Sequence, residues 1–400
     1  MYLKSPLIVY EKVENGYNTT NLITGKRFFI NKNIKYIIDL FDGKRDITQV
    51  AKVMINKNIP SNQLKKTFDF LKEAKLIYSE LSSNILTNEL IYGKYTFMGI
   101  NKTDIKYLNK NNIAILGIPF GQGNHYNINT QNFPEKIRLV TYDFSKNIKK
   151  NVINYGAIHH LTNQNNISEK IKKNNIVDLG NIFYVSGESN SIFFNKIYLN
   201  IKKIISKNTF PLIIGGDHSI TYPIIESLAS KFEKFNIMHF DAHSDYVSTP
   251  LLKILNNNDK YALLNHATVM NFCSKIKQVQ NIFQFGIREY FLNDNIKIKN
   301  FSLHDLRNKF SSINKSIPKD IPTYITFDID FFDPVIAPGT ATKIINGAMI
   351  NETMEWLSEL FKNRDIIGFD LVEVNSDLDN NGITSQLVQY LLLHIISLID

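Results

Sequence analysis

Cysteine is almost absent from this 400-residue chain, in which Cys273 is the single example. One thiol cannot form an internal disulfide, and it cannot supply the several sulfur ligands of a structural zinc or iron–sulfur site. Any metal that the protein binds must therefore be held by histidine and carboxylate side chains.

Long hydrophobic runs are also missing. Met1 to Val13 contains no apolar run of the roughly 7 to 15 residues that a signal peptide needs. The longest apolar stretch, Tyr390 to Ile399, is interrupted by His394 and Ser397 and is too short to span a bilayer. We expect a soluble, cytoplasmic protein with no membrane segment.

The positive charge is not gathered into a block. A formal net charge of +9 would by itself suit an anionic partner. The lysines, however, are scattered among asparagine and isoleucine and form no basic stripe interleaved with aromatic residues. Biased composition explains the charge better than nucleic-acid binding, so we expect no nucleic-acid partner.

The chain is long enough for two domains, because single hydrophobic cores stop growing near roughly 250 to 300 residues. An apolar content of 44% is sufficient for one large core and a smaller companion. The patterns along the chain predict a first domain at 1–80, a polar linker at 81–110 and a second domain at 111–400.

The first domain has the pattern of a small, winged-helix-like α+β unit. Apolar residues from Ile34 to Phe41 have helical spacing, and a turn through Asp42 and Gly43 is expected to end that helix. A second helix is expected to begin at Asp46 or Thr48. A third helix capped by Ser61 and a strand at Leu76 to Tyr78 follow.

Several segments of this unit resemble the leader-peptide recognition domains of peptide-modifying enzymes, which are similar to the small chaperone of pyrroloquinoline quinone biosynthesis. The matching segments are Ile30-Asn31, Leu40-Phe41-Asp42-Gly43, Asp46-Ile47-Thr48, Phe70-Leu71 and Leu76-Ile77. The resemblance implies that residues 1–80 bind the leader of a precursor peptide. A generic winged-helix or dimerisation module is the alternative.

The second domain alternates short apolar strands with helical segments. Nearly continuous apolar strands of this kind predict a mainly parallel sheet covered on both faces, and so a three-layer α/β/α domain. The predicted strands are Ile113 to Ile118, Asn175 to Leu179, Phe210 to Ile214, Asn236 to Phe240, Ile282 to Phe285, Tyr324 to Phe327 and Asp365 to Leu371.

Unusual polar residues cluster where four of these strands end. The segments are Gly215 to Ser219, Asp241 to Asp245, Asp328 to Pro334, and Glu373. Ligands of open parallel sheets sit in the crevice beyond the carboxyl ends of the strands, so these segments are candidates for a site.

The second segment is the strongest metal signal. Asp241, His243 and Asp245 alternate, so an extended chain would direct all three side chains to one face. Charged groups at the end of a buried strand cost several kcal/mol, as an order of magnitude, unless a cation compensates them. Asp328 and Asp330 repeat the alternation.

With His218, these residues provide four carboxylates and two imidazoles, too many ligands for one ordinary ion. An oxygen-rich set with imidazole favours manganese over zinc. A single aspartate in such a place would more often cap a helix or bind a loop amide, but two alternating arrays make that explanation insufficient for the whole set.

The same segments resemble the signatures of the ureohydrolase family, which contains arginases, agmatinases and formiminoglutamases. The resemblance covers about residues 111 to 400, in family order. The matching motifs are Gly215-Gly216-Asp217-His218-Ser219, His239-Phe240-Asp241-Ala242-His243-Ser244-Asp245, Phe327-Asp328-Ile329-Asp330-Phe331-Phe332-Asp333-Pro334 and Leu371-Val372-Glu373-Val374-Asn375.

The resemblance implies an arginase-like fold and a centre of two manganese ions with a hydroxide nucleophile between them. It also implies a trimer or hexamer, and so a homo-oligomer. By this resemblance His218 and Asp245 bind one ion, His243 and Asp330 bind the other, and Asp241 and Asp328 bridge them, with Asp330 counted among the catalytic residues as well.

Two further roles follow from the resemblance. Glu373 matches the carboxylate that receives the cationic guanidino group, where a charge-assisted hydrogen bond would orient the substrate. His266 matches the histidine that shuttles protons to the leaving amine, a task that suits the ordinary pKa of an imidazole.

The sequence departs from free-arginine arginases at Val247, where those enzymes have a polar residue that helps to bind the substrate carboxylate. Ala341 and Lys343 also depart from the family pattern, at positions that bind no metal. Together with the first domain, Val247 favours hydrolysis of arginine residues in a precursor peptide to ornithine and urea.

Three alternative functions are also to be considered for this sequence. An agmatinase or another hydrolase of small guanidino compounds would use the same metal ligands. A zinc deacetylase of similar fold would use one ion and would not need the whole ligand set. A winged-helix regulator with an inert hydrolase domain would have no reason to keep that set intact.

Overall fold

We describe the protein from a computed structural model. The described residues are 2–5, 8–21, 27–42, 45–55, 61–74, 76–79, 90–144, 164–184, 188–247, 261, 263–289 and 295–399. The chain divides into two compact units, Met1–Lys94 and Tyr95–Asp400. Residues 81–89 of the predicted linker lie outside the described residues, and the predicted boundaries stay a prediction.

The N-terminal unit contains a three-stranded antiparallel sheet, a two-stranded pair and three helices, which confirms the predicted small α+β region. Its apolar side chains form one core that includes Ile30, Ile38, Val50 and Leu71. The elements are β1 (Tyr2–Lys4), β2 (Ile8–Val13), β3 (Gly16–Asn21), β4 (Arg27–Asn31), α1 (Lys32–Asp39), α2 (Ile47–Ile55), α3 (Ser61–Glu73) and β5 (Ile77–Ser79).

Side chains cap two helices of this unit, and the cap at Asp46 is one of the two positions predicted for the start of the second helix. Asn31 caps α1, because its side chain accepts from the backbone N–H of Ile34 at 2.9 Å. Asp46 and Gln49 form a reciprocal pair before α2, each accepting from the backbone N–H of the other at 2.8 and 2.9 Å. Gly43, expected to end the first helix, lies outside the described residues.

The C-terminal unit contains a large sheet. After the short strand β6 (Leu90–Ile91), its strands are β7 (Asn101–Lys102), β8 (Ile113–Gly117), β9 (Ile176–Ile182), β10 (Phe210–Ile214), β11 (Phe235–Phe240), β12 (Val279–Phe285), β13 (Ile298–Phe301), β14 (Thr323–Asp328) and β15 (Ile366–Val372). They pair in parallel, in the order β13, β12, β11, β14, β15, β10, β8, β9, with β7 also paired to β9. This sheet confirms the predicted mainly parallel α/β fold.

Helices follow most of these strands. Every residue of β8, β9, β11 and β14 is buried, so both faces of the sheet are covered. Among the described residues, no helix is both long and apolar enough to cross a membrane. The helices are α4 (Phe133–Thr141), α5 (Gln164–Lys172), α6 (Asn190–Ile205), α7 (Thr221–Ala229), α8 (Val269–Ser274), α9 (Leu303–Ser316), α10 (Ile350–Phe361) and α11 (Ile383–Leu398).

Four neighbouring strands end at the candidate site. The order β11, β14, β15, β10 places their carboxyl ends side by side, and the register pairs Phe240 with Phe327 and Ile214 with Leu371. The polar segments singled out in the sequence are the residues that follow these ends. The sheet therefore gathers side chains that are up to 155 residues apart, as are His218 and Glu373.

Candidate metal centre and substrate pocket

The predicted ligands converge in two groups. In the first, the His218 Nδ1 atom lies 2.9 Å from Asp245 Oδ2, 3.2 Å from Asp241 Oδ2 and 3.5 Å from Asp328 Oδ2. All four side chains are at least nine-tenths buried. His218 occupies a short turn, 218–220, directly after the loop that follows β10.

In the second group, His243 Nδ1 lies 3.0 Å from Asp330 Oδ2 and 3.5 Å from Asp241 Oδ1. The side chain of His243 is 24% exposed, whereas the Asp330 side chain is 1% exposed. Asp241 belongs to both groups, because its two carboxylate oxygens face different histidines.

The loops do not follow the extended path expected from the alternating pattern. Strand β11 ends at Phe240, and Asp245 has a φ of 49°, in the left-handed region. The chain of Asp328 to Asp330 likewise turns into a short helical segment at 329–331. The aspartates therefore reach one centre through tight turns and not along one face of a strand.

These turns are stabilised by the aspartates themselves. Asp241 Oδ1 accepts from the backbone N–H of His243 at 2.6 Å, and Asp328 Oδ1 accepts from the N–H of Asp330 at 2.8 Å. Asp330 Oδ1 accepts from the N–H of Ala242 at 3.0 Å. One oxygen of each carboxylate thus fixes the loop, and in each case Oδ2 faces a histidine of the centre.

The pKa shifts reflect concentrated negative charge. Burial, followed by the charges of Asp330 and Asp241, raises the pKa of Asp328 well above its usual value. Burial alone would lower the pKa of His243, but its hydrogen bonds to Asp241 and Asp330 raise it to about 12. Four carboxylates surround two imidazoles, so the set attracts positive charge strongly.

The residues fit divalent cations. His218 Nε2 lies 2.9 Å from Thr326 Oγ1, while the buried Nδ1 has no hydrogen-bond partner although three carboxylate oxygens surround it. An imidazole lone pair facing carboxylates is repulsive unless a cation lies between them. Within the described part of the chain, two clusters are of metal-binding type, His218-His239-Asp241-Asp245 and Asp241-His243-Asp330.

Glu373 is held beside this centre by neutral donors. Its Oε1 accepts from the backbone N–H of His218 at 2.8 Å, and its Oε2 accepts from the side-chain amides of Asn124 at 3.0 Å and Asn127 at 2.8 Å. Burial, and then the charge of Asp217, raises the pKa of Glu373 to about 8. Its φ of 63° is in the left-handed region, a strain that commonly occurs at functional sites.

His266 is anchored through Gly123. The Gly123 carbonyl lies 2.7 Å from His266 Nδ1, and a carbonyl can only accept, so Nδ1 carries the proton and Nε2 keeps a lone pair. The Gly123 N–H donates to Asp217 Oδ2 at 2.7 Å. A Cβ at position 123 would lie 2.5 Å from Ser219 Oγ, so only glycine allows this approach.

A pocket adjoins both groups, with about 430 Å³ of non-protein volume that includes open solvent. At its mouth, Glu289 Oε1 accepts from the Ser244 N–H at 2.6 Å and from the Ser244 hydroxyl. The described lining contains no lysine or arginine. It consists of His243, Ser244, Asp245, Val247, His266, Ala267, Glu289, Asp328, Thr342 and Glu373.

Sequence reasoning missed several supporting residues. The fully buried His239 has Nε2 2.8 Å from Asp241 Oδ2 and Nδ1 2.8 Å from Gln284 Nε2. Gln284 Nε2 also donates to the Ser244 carbonyl at 2.6 Å. A signal existed, because His239 precedes Asp241 by two residues on a strand whose other side chains are mostly apolar. Asn124 gave no such signal in the sequence, because it lies in an irregular segment.

Comparisons with known proteins agree with this geometry. The sequence model of the arginase family matches residues 111–397. The uncharacterized 32.2 kDa protein in the hmfB 3′ region of Methanothermus fervidus is 31% identical over 284 residues, 69% of this chain and 88% of that protein. The agmatinase of Salmonella paratyphi B is 27% identical over 308 residues, 74% of this chain and 90% of that enzyme.

The fold also matches solved structures. Proclavaminate amidino hydrolase from Streptomyces clavuligerus superimposes with a TM-score of 0.63 at 23% identity, covering 76% of this chain and 97% of that enzyme. The family match extends over most of the chain and includes every side chain of the two converging groups. The chain therefore belongs to the arginase family of ureohydrolases.

Proposed function

We propose that the protein hydrolyses a guanidino group and releases urea, and that its substrate is an arginine residue within a precursor peptide. The observation that supports the hydrolase chemistry best is the convergence of four aspartates and two histidines beside a pocket that also contains Glu373 and His266.

In this proposal the centre would hold two Mn²⁺ ions. His218 and Asp245 would be ligands of the first, His243 and Asp330 would be ligands of the second, and Asp241 and Asp328 would serve both. Four carboxylate charges balance two divalent ions. When bound, the ions lower the pKa of water so that hydroxide is available at neutral pH.

Glu373 orients the guanidinium group by charge-assisted hydrogen bonds, since the donors already holding its two oxygens fix the carboxylate in the pocket. Hydroxide would add to the guanidino carbon and form a carbon–oxygen bond, and the bond from that carbon to the side-chain nitrogen would then break. His266 Nε2, which keeps a lone pair, would take the proton that the added hydroxyl loses as it becomes the urea carbonyl, and would pass that proton to the departing amine. The products are urea and ornithine.

The pocket mouth favours a substrate without a free carboxylate. Val247, which is 48% exposed, offers no hydrogen bond to a carboxylate, and Glu289 would repel one. An arginine residue in a peptide presents an amide N–H at this end, which a carboxylate can accept. Free arginine would place its own carboxylate beside Glu289, at a cost of about 1 to 3 kcal/mol for an unpaired polar group.

We further propose that residues 1–80 bind the leader segment of the precursor. An added peptide strand would gain main-chain hydrogen bonds at a sheet edge of this unit, and β2 and β4 are the outer strands of its three-stranded sheet. Leader binding would raise the effective concentration of the core peptide at the metal centre. A homo-oligomer is also part of the proposal.

The test is urea release by the manganese-loaded full-length protein. The substrates are a leader-bearing precursor, the same core peptide without leader, free arginine, agmatine and guanidinobutyrate. We expect the precursor to be the best substrate and removal of the leader to raise KM more than it lowers kcat. Efficient turnover of free arginine would overturn the peptide assignment.

An agmatinase is the second candidate, because a relative with that name aligns over 74% of the chain. Agmatine ends in an ammonium group, which Glu289 could also receive. The same panel separates the two enzymes: an agmatinase would release urea from agmatine at a high rate and leave both peptides unchanged.

A further inference from the structure

A chain of buried hydrogen bonds leads away from His218, on the side opposite to the carboxylates. His218 Nε2 lies 2.9 Å from Thr326 Oγ1, and that hydroxyl lies 2.6 Å from Asp370 Oδ1. All three residues are fully buried. Thr326 comes from β14 and Asp370 from β15, so two paired strands of the sheet hold them in register.

Asp370, the last acceptor in this series of hydrogen bonds, determines which atom donates in each of them. Asp370 receives the Tyr324 hydroxyl at 2.8 Å and the Thr221 hydroxyl at 3.1 Å on Oδ2, and the Thr326 hydroxyl on Oδ1. A hydroxyl has one proton. Since Thr326 donates that proton to Asp370, its lone pair must accept from the Nε2–H of His218.

We propose that Thr326 and Asp370 are positioning residues that select the His218 tautomer able to bind metal. With the proton held on Nε2, the Nδ1 lone pair is directed at the space bounded by Asp241, Asp245 and Asp328. The opposite tautomer would place an N–H there and could not coordinate a cation. This inference rests on the proposed metal centre and extends it to residues that touch no ion.

The two threonines bonded to Asp370 provide a matched pair of variants. Thr326→Val removes the hydroxyl between Asp370 and His218 and nearly keeps the side-chain shape. Thr221→Val removes a hydroxyl from the same carboxylate, but the Thr221 hydroxyl contacts Asp370 and Thr326 and not His218. Thr326→Ser keeps the hydroxyl and is the rescue variant.

The experiment is calorimetric titration of each metal-free, full-length protein with Mn²⁺, with thermal unfolding as the control for folding. We expect Thr326→Val to weaken the binding of one ion by roughly 10- to 100-fold, the usual effect of losing a partner of a metal-bound histidine. Thr326→Ser should restore the affinity, and Thr221→Val should stay close to the unmodified protein.

Wild-type affinity in Thr326→Val, or an equal loss in Thr221→Val, would overturn the proposal. If Thr326→Val does not fold, Asp370→Asn replaces it, because an amide N–H facing Thr326 would reverse the hydroxyl and the same loss is expected. Failure of the unmodified protein to bind two Mn²⁺ ions would instead reject the metal centre itself, and the two failures are therefore distinguishable.

Discussion

The two histidines of the candidate centre lie in different surroundings. The buried half contains His218 and Asp245; the open half contains His243 and Asp330. The His218 side chain is fully buried and its second ring nitrogen contacts Thr326, whereas the His243 side chain is 24% exposed and lines the pocket. Asp241 connects the halves, with one oxygen toward each histidine.

This difference suggests that the two halves of the centre have different functions. The buried half is fixed by strands β10, β11 and β14, which leaves His218 little freedom to change its position or tautomer. The pocket through which water and substrate must pass adjoins both halves, but His243 and not His218 is in its described lining, together with His266 and Val247. Ligand geometry would therefore be set in the buried half, and specificity and proton transfer in the open half.

Loss of the shared carboxylate should have the largest effect. Asp241→Asn removes the negative charge that faces both His218 and His243. The asparagine side chain would still place a polar atom beside His239 Nε2, so the local packing should be kept. We expect urea release to fall by about 10³-fold or more, since metal catalysis contributes several kcal/mol to the transition state. Assays in excess Mn²⁺ with metal analysis would check this. Activity within tenfold of the unmodified protein would contradict a bridging role.

His266→Asn removes the proposed proton donor of the open half and leaves the ligand groups intact. We expect kcat to fall by roughly 10²- to 10⁴-fold, the range for one general acid. The Mn²⁺ content should stay at two ions per chain, because the His266 ring forms its hydrogen bond with the Gly123 carbonyl and not with the ligands. Simultaneous loss of metal would show that the residue acts on structure and not on proton transfer.

Without metal, the two histidines should contribute differently to the stability of the fold. His218→Asn removes a fully buried ring and its contact with Thr326, so the free energy of unfolding should fall by about 1 to 3 kcal/mol. His243→Asn changes a partly exposed side chain and should cost clearly less. Unfolding in guanidinium chloride without metal gives both values. Equal losses would remove the distinction between a buried and an open half.

Much of the fold could be predicted from the sequence, because apolar strands buried on both faces are a strong signal. The strand predicted at Asn236 to Phe240 corresponds to β11, and the one at Tyr324 to Phe327 to β14. Strand β13 was not predicted. It lies at the edge of the sheet and has only four residues, of which the two in the middle are exposed, so it gives little hydrophobic pattern.

The candidate ligands could be found because charged residues at buried strand ends are conspicuous. Their supports could not be found in the same way. Thr326 and Asp370 lie inside apolar strands, where one polar side chain gives no hint of its partner, and their contact depends on the pairing of β14 with β15. The turn at Asp245 also follows from tertiary contacts and not from the alternating sequence pattern.

The smallest expected effect concerns the mouth of the open half. Val247→Asn introduces an amide donor where a free amino acid would place its carboxylate, and Glu289 remains as an opposing charge. We expect kcat/KM for free arginine to rise by only a few-fold, below the factor of about ten that one neutral hydrogen bond can give. Adding Glu289→Gln should raise kcat/KM for free arginine further, because the repulsion between Glu289 and the substrate carboxylate is then removed.

The control for this pair is the precursor peptide, whose turnover should not rise in either variant because it has no carboxylate at that position. Kinetics of urea release with both substrates provide the measurement. If free arginine and the peptide respond alike, Val247 does not discriminate between them, and the open half would select its substrate by some other contact. If only free arginine gains, the pocket mouth itself accounts for the discrimination against free amino acids.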